Sequence, residues 1–309
     1  MNRRRFVGRC AATAAGVAGL GGIPSSAFGA GAAGGGIDQA LAGGAAASLS
    51  PEGAGGARRL TRIGLELYSV RDAMRRDPER TMTAVRAMGY TDVELLWSFG
   101  NFGRTPQQVR DALTNSGLRA TSAHITPAAV LVGWARSLDI ARLIGHEALV
   151  VPSFTVDTER SLDDWKEWAD RFNAAGEVAR RAGIWLMMHN EPGHQRPLAG
   201  RVPFEVFAER IDPRYVRLQL DVGNMTMGGG DPMAFLAKYG DRCWSFHLKD
   251  VVPDRSGDTE LGKGTVDLHQ LLAAVTDIER KTFFVEQEGA KDSMASARRD
   301  FEYLASLEF

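Results

Sequence analysis

Asp221, His247 and Glu286 each stand at the C-terminal end of a short apolar run: VRLQLD, CWSFH and TFFVE. A fourth run, IWLMMHNE, ends in His189, Asn190 and Glu191. From Glu191 onward the steps between these positions are 30, 26 and 39 residues. That spacing is too wide for a zinc ribbon or a His pair on one helix, and it suits successive strands of a repeating strand–helix fold. In a closed (β/α)8 barrel the C-terminal ends of the strands converge on one mouth. Two carboxylates and an imidazole gathered there can hold a divalent cation. A carboxylate beside such a cation can remove a proton next to a carbonyl, which is chemistry suited to sugars.

The elements needed to position these residues are legible along the chain. Strands are expected over 62–68, 91–96, 119–125, 147–153, 184–190, 215–221, 242–248 and 282–288, with helical patterns between them. Alternation of this kind implies a parallel sheet, because each parallel pair needs a crossover. Asp77-Pro78, Thr105-Pro106, Thr126-Pro127 and Asp231-Pro232 each put a capping side chain before a proline at the first helical position, and Ser161 with Asp164 has capping-box spacing. Gly89, Gly117, Gly145 and Gly183 fall between a helix and a strand, where a left-handed cap belongs. The last helix is expected over 291–307. No glycine-rich loop follows the first strand, where the chain reads Tyr68-Ser69-Val70-Arg71-Asp72, which disfavours a dinucleotide fold. The expectation is an α/β protein with a single (β/α)8 TIM barrel over 59–309.

The residues before the barrel read differently. Arg3-Arg4-Arg5-Phe6-Val7 and the weakly apolar run Ala11 to Ile23 resemble a twin-arginine export signal, expected over 1–30. Residues 31–58 are rich in Gly and Ala and are expected to be a flexible linker. The formal net charge is −1; residues 1–30 hold four arginines and no acid, so the rest stands at −5. With no basic stripe, nucleic acid is not an expected partner, and the apolar run is too short and glycine-rich for a membrane anchor. Of two cysteines, only Cys243 follows the signal, so no intramolecular disulfide is expected. Export would place the protein in the periplasm or outside the cell. A homo-oligomer is left open.

The strings GLELYSVRD, HN at the fifth strand, LDVGN, HLKD, GKG and VEQE together resemble the sugar phosphate isomerase/epimerase family of xylose-isomerase-like TIM barrels. The resemblance covers residues 62–309. It implies one divalent metal, Mn, Zn, Co or Mg, held by Asp221, His247, Glu286 and a fifth-strand carboxylate. Here the fifth strand runs on into His189-Asn190-Glu191-Pro192-Gly193-His194, so Glu191 and His194 are both candidates for the fourth ligand. Glu286 is the expected base, with Glu191 as its partner. His124, Trp97, Asn224, Lys249 and Lys263 are expected to contact substrate. Lys249 either reaches the substrate or pairs with Asp250.

The leading expectation is a metal-dependent isomerase or epimerase working through an enediolate on a non-phosphorylated sugar or keto-sugar. The same metal and base would also serve a lyase that eliminates from a 3-keto-glycoside. A non-catalytic sugar-binding barrel is the alternative from another class. Cleavage of abasic DNA is disfavoured by the acidic charge and the six histidines, too few for several metals.

Overall fold

A computed structural model describes residues 57–154 and 160–309. The expected export signal and the expected linker through residue 56 lie outside the described residues. The folded unit begins at Ala57, slightly before the expected boundary. Arg58 and Phe309 exchange two backbone hydrogen bonds, at 2.9 and 3.0 Å.

All eight expected strands form and close into one parallel barrel. They are β1 (Gly64–Glu66), β2 (Asp92–Leu96), β3 (Arg119–His124), β4 (Ala148–Val151), β5 (Trp185–His189), β6 (Val216–Asp221), β7 (Cys243–Leu248) and β10 (Thr282–Val285). Between the last two, β8 (Asp250–Val251) and β9 (Asp258–Thr259) make a small antiparallel pair in a mouth loop. The barrel strands are buried on both faces, which is why they read as near-continuous apolar runs.

Closure depends on Gly64. A Cβ there would lie 2.4 Å from Phe284 Cδ1, and β1 meets β10 through only two register pairs, Gly64–Phe284 and Leu65–Val285. The main core lies between the sheet and the surrounding helices. In one sector Phe154, Trp165, Trp168, Phe172 and Phe207 interlock with ring centroids 4.5–6.3 Å apart. Ala148, Val150 and Met187 form a separate apolar cluster. Val150 pairs in register with His124, and Met187 shares a strand face with His189.

The helix signals also hold, with one exception. Asp77 accepts a hydrogen bond from Arg80 N, Asp231 from Met233 N and Ala234 N, and both Thr105 and Ser161 form capping boxes. Thr126 makes no side-chain cap. Gly89, Gly117, Gly145 and Gly183 all have φ between 72° and 116°. The last helix runs Ser293–Ser306. No helix among the described residues is long and apolar enough to cross a membrane.

Asp300, on that helix, accepts from Leu261 N at 2.8 Å while its Oδ2 is buried without a hydrogen bond. Burial pushes its carboxyl up to about 7. The folded state thus prefers the protonated form. Its stabilising effect is complete below the unfolded value of about 3.9 and is lost as pH rises through about 7, at most about 4 kcal/mol. In melts between pH 4 and 8, Asp300→Asn should flatten this decline and overtake the parent above pH 7. Parallel curves for the two proteins would refute it.

Candidate metal centre

The strands deliver one buried polar group after another to the inside of the barrel mouth: Glu66 from β1, Glu94 from β2, His124 from β3, His189 from β5, Gln219 and Asp221 from β6, Ser245 and His247 from β7, and Glu286 just past β10. Register accounts for the alignment, since Glu66 pairs with Glu94, His189 with Gln219 and Asp221 with His247. His189, Asp221, His247 and Glu286 each offer a ligand atom, and these four atoms lie within 4.8 Å of one another.

Local structure fixes the donors. His189 Nδ1 lies 3.3 Å from the Pro152 carbonyl, so it carries the proton and leaves a lone pair on Nε2. That Nε2 is buried without a hydrogen bond and faces Asp221 Oδ2 at 3.5 Å, an oxygen whose close partner is the buried Lys249 ammonium at 2.9 Å. The Asn190 side chain grips the Asp221 backbone from both sides, donating to its carbonyl and accepting from its N–H, each at 2.9 Å. Asp221 Oδ1 caps the following helical turn by accepting from Asn224 N at 2.7 Å. An imidazole lone pair buried without a donor is unfavourable, and one aimed at a carboxylate oxygen suits a cation between the two. Two imidazoles and two carboxylates therefore fit a divalent ion, with the nitrogen donors favouring Zn, Co or Fe over Mg.

One cation is built in. Lys249 is fully buried, and its Nζ lies 2.9 Å from Asp221 Oδ2, 3.0 Å from Glu286 Oε2, 2.9 Å from Glu288 Oε1 and 3.1 Å from Asn224 Oδ1. Burial would raise the Glu286 carboxyl, but the Lys249 ammonium and His247 hold it well below the usual range. Burial and the neighbouring Glu286 charge push Glu66 well above that range, so of these adjacent carboxyls one is ionised and one protonated. Burial opposes charge on His247, but Glu94 and Glu286 flank its two nitrogens and push it well up. Burial takes His124 down to about 4, so it is neutral.

The sequence expectations fare unevenly against this geometry. Asp221, His247 and Glu286 are brought together. The fifth-strand donor in the group is His189, not Glu191 or His194. The Glu191 N–H donates to His194 Nδ1 at 3.0 Å, and the His194 ring lies edge-on to Trp165 at 4.8 Å, so this pair belongs to the Pro192–Gln195 turn. His124 lies inside the barrel, 2.8 Å from Gln219 and stacked on His247. Asn224 and Lys249 join the group. Lys249 and Asp250 diverge instead of pairing: Asp250 accepts from the N–H groups of Val251, Gly264 and Val266, holding the loop. Lys263 pairs with Glu260, and the Trp97 ring packs against His146 at 5.7 Å. Trp134 donates to the Ala175 carbonyl between two helices, as a packing residue would.

Gly223 sits against the lysine. A Cβ there would lie 2.5 Å from Lys249 Cγ and 2.7 Å from its Cβ. Gly223→Ala should push the ammonium off its carboxylates, lowering kcat/KM up to about 100-fold at a stability cost of about 1–3 kcal/mol. Parent-like turnover in the variant would mean that the position of Lys249 does not matter for the reaction.

Fold and donor group together define a family. Residues 82–307 match the profile described as xylose isomerase-like TIM barrel, and the chain belongs to that family. Inosose dehydratase of Salmonella typhimurium is 29% identical over 110 residues, 36% of each chain, so the chain spans about a third of the length of this curated relative. A sugar phosphate isomerase/epimerase from Parabacteroides distasonis shares the fold with a TM-score of 0.70 at 24% identity, over 84% of this chain and 97% of that one. The IolI protein with a bound zinc atom shares it with a TM-score of 0.63 at 11% identity, over 79% and 98%.

Proposed function

We propose that this chain is a divalent-metal-dependent enzyme that removes a proton from the carbon beside a carbonyl of a polyhydroxylated substrate, with isomerisation or epimerisation as the net reaction. The observation that carries this reading is the four-donor group, in which His189 Nε2 is buried without a hydrogen bond and faces Asp221 Oδ2. His189, Asp221, His247 and Glu286 would hold the ion. When bound, it supplies Lewis-acid polarisation of the substrate carbonyl.

Glu286 is the base of this reading, kept ionised by Lys249 and His247. Glu66 beside it holds a proton, and a pair of carboxyls in opposite protonation states can accept on one and donate from the other. Lys249 places an ammonium proton at the same point. Lys249 and Arg71, whose contacts both reach Glu288, are already committed, Arg71 to the carbonyls of Tyr68 and Glu288. That favours an uncharged keto-sugar over a phosphate ester. Export along the twin-arginine route, read from Arg3-Arg4-Arg5, accords with such a substrate.

The inosose dehydratase relatives favour a second reading, a lyase. The same proton is removed, the C–O bond on the next carbon breaks, and Lys249 or Glu66 protonates the departing oxygen. The test is incubation of the metal-reconstituted protein with keto-sugars and inososes in D2O. Carbon-bound deuterium with an isomeric product supports the first reading. A conjugated enone absorbing in the ultraviolet supports the second. Neither, with metal bound, would leave a sugar-binding barrel.

A further inference from the structure

Glu94 lies inside β2 and is fully buried. Its Oε2 sits 2.5 Å from His247 Nε2. The other ring nitrogen, Nδ1, faces Glu286 Oε2 at 2.8 Å, so Nδ1 is on the side of the four-donor group and Nε2 on the side of Glu94. The Glu94 carboxylate is itself pinned: the Gln219 amide donates to its two oxygens at 2.9 and 3.2 Å and also approaches Ser245 Oγ at 2.9 Å. With the NH2 end of Gln219 spent there, its carbonyl end receives His124 Nε2–H at 2.8 Å.

We propose that Glu94 is a positioning residue for the ion: it accepts the Nε2–H of His247 and thereby fixes the tautomer whose Nδ1 lone pair points at the ion. Ligation through Nδ1 requires loss of the proton that faces Glu286 Oε2, and a carboxylate acceptor on the far nitrogen keeps the remaining proton on Nε2 and makes the ring a stronger donor. Glu94 serves the ion without touching it. Glu94, His124 and His247 also lie close enough to hold an ion of their own. Gln219 argues against that use, because it obliges His124 to present N–H rather than a lone pair toward Glu94, and His247 Nε2 carries a proton. The proposal rests on the ion-binding reading of His189, Asp221, His247 and Glu286.

The test uses Zn²⁺ and Co²⁺ alone as probes. Ion stoichiometry and affinity are measured by chelator competition for the parent, Glu94→Gln, Glu94→Ala and Asp221→Asn. Ring ¹⁵N spectra of the zinc-loaded parent read the His247 tautomer without any variant. We expect one ion per parent chain, zinc on Nδ1 and a proton on Nε2. Glu94→Gln and Glu94→Ala should each still bind one ion, about 10–100-fold more weakly, with the ring signal shifted. Unchanged affinity, or zinc on Nε2, overturns the proposal. Two ions per parent chain with one lost in the Glu94 variants also overturns it, making Glu94 a ligand. A parent that takes up no ion sinks the ion-binding reading and this proposal with it, whereas loss in Asp221→Asn with full affinity in both Glu94 variants sinks the proposal alone.

Discussion

Asp221→Asn and His247→Ala should each strip the protein of its divalent ion and lower kcat/KM on the order of a thousandfold, the size of several kcal/mol of lost transition-state stabilisation. The fold should survive. An Asn at 221 still offers an oxygen to Asn224 N–H, and Asn190 continues to clamp the backbone at that position. What disappears is the anionic oxygen that faces His189 Nε2. Elemental analysis of the purified parent and both variants is the deciding measurement. Near-stoichiometric metal in the parent and none in the variants is the expected result. Metal retained in both would remove His189, Asp221, His247 and Glu286 from consideration as its site.

Lys249→Met should destabilise the ion-free protein by about 3–5 kcal/mol, because it leaves Asp221, Glu286 and Glu288 crowded together without their shared cation. For a domain of this size that corresponds to a fall in Tm of roughly 10 °C. Added Zn²⁺ or Co²⁺ should recover part of the loss, since a divalent ion among the same carboxylates replaces the missing charge. Thermal melts with and without metal check both halves. A variant melting with the ion-free parent would mean that the ammonium contributes nothing net. Stability restored by metal while turnover stays low would assign Lys249 a direct part at the substrate.

The barrel was legible because parallel strands covered on both faces leave apolar runs, and because glycines and capped prolines mark the helix ends between them. Three of the four clustered donors followed from the rule that the last polar residue of each run points into the mouth. Applied evenly, the rule also selects His189, the last residue of β5. The family resemblance implies a fifth-strand carboxylate, and Glu191, with His194 beside it, stands past β5 in the following turn. Glu94 and Gln219 lay beyond reach for a different reason. A charge inside an apolar strand needs a partner, but Glu94 finds its partners 125 and 153 residues away, and no local pattern encodes distances of that length. Lys249 and Asp250 looked like a pair because they are adjacent. Neighbouring residues on extended chain face opposite ways, and the two serve different structures.

The four ligand candidates all come from adjacent strands of the later half of the barrel, β5, β6, β7 and β10, while Glu66, Glu94 and His124 come from β1, β2 and β3. The proposed ion grip thus falls in one half of the chain, and Glu94, proposed to position it, in the other. Grafting the first three strand–helix units of another family member onto this chain should keep the ion and retune how tightly it is held. Order of synthesis follows the same division. The supporting carboxylates and imidazole leave the ribosome before any ligand candidate does, yet β1 pairs with β10, so the barrel around them closes only once the last strand has emerged.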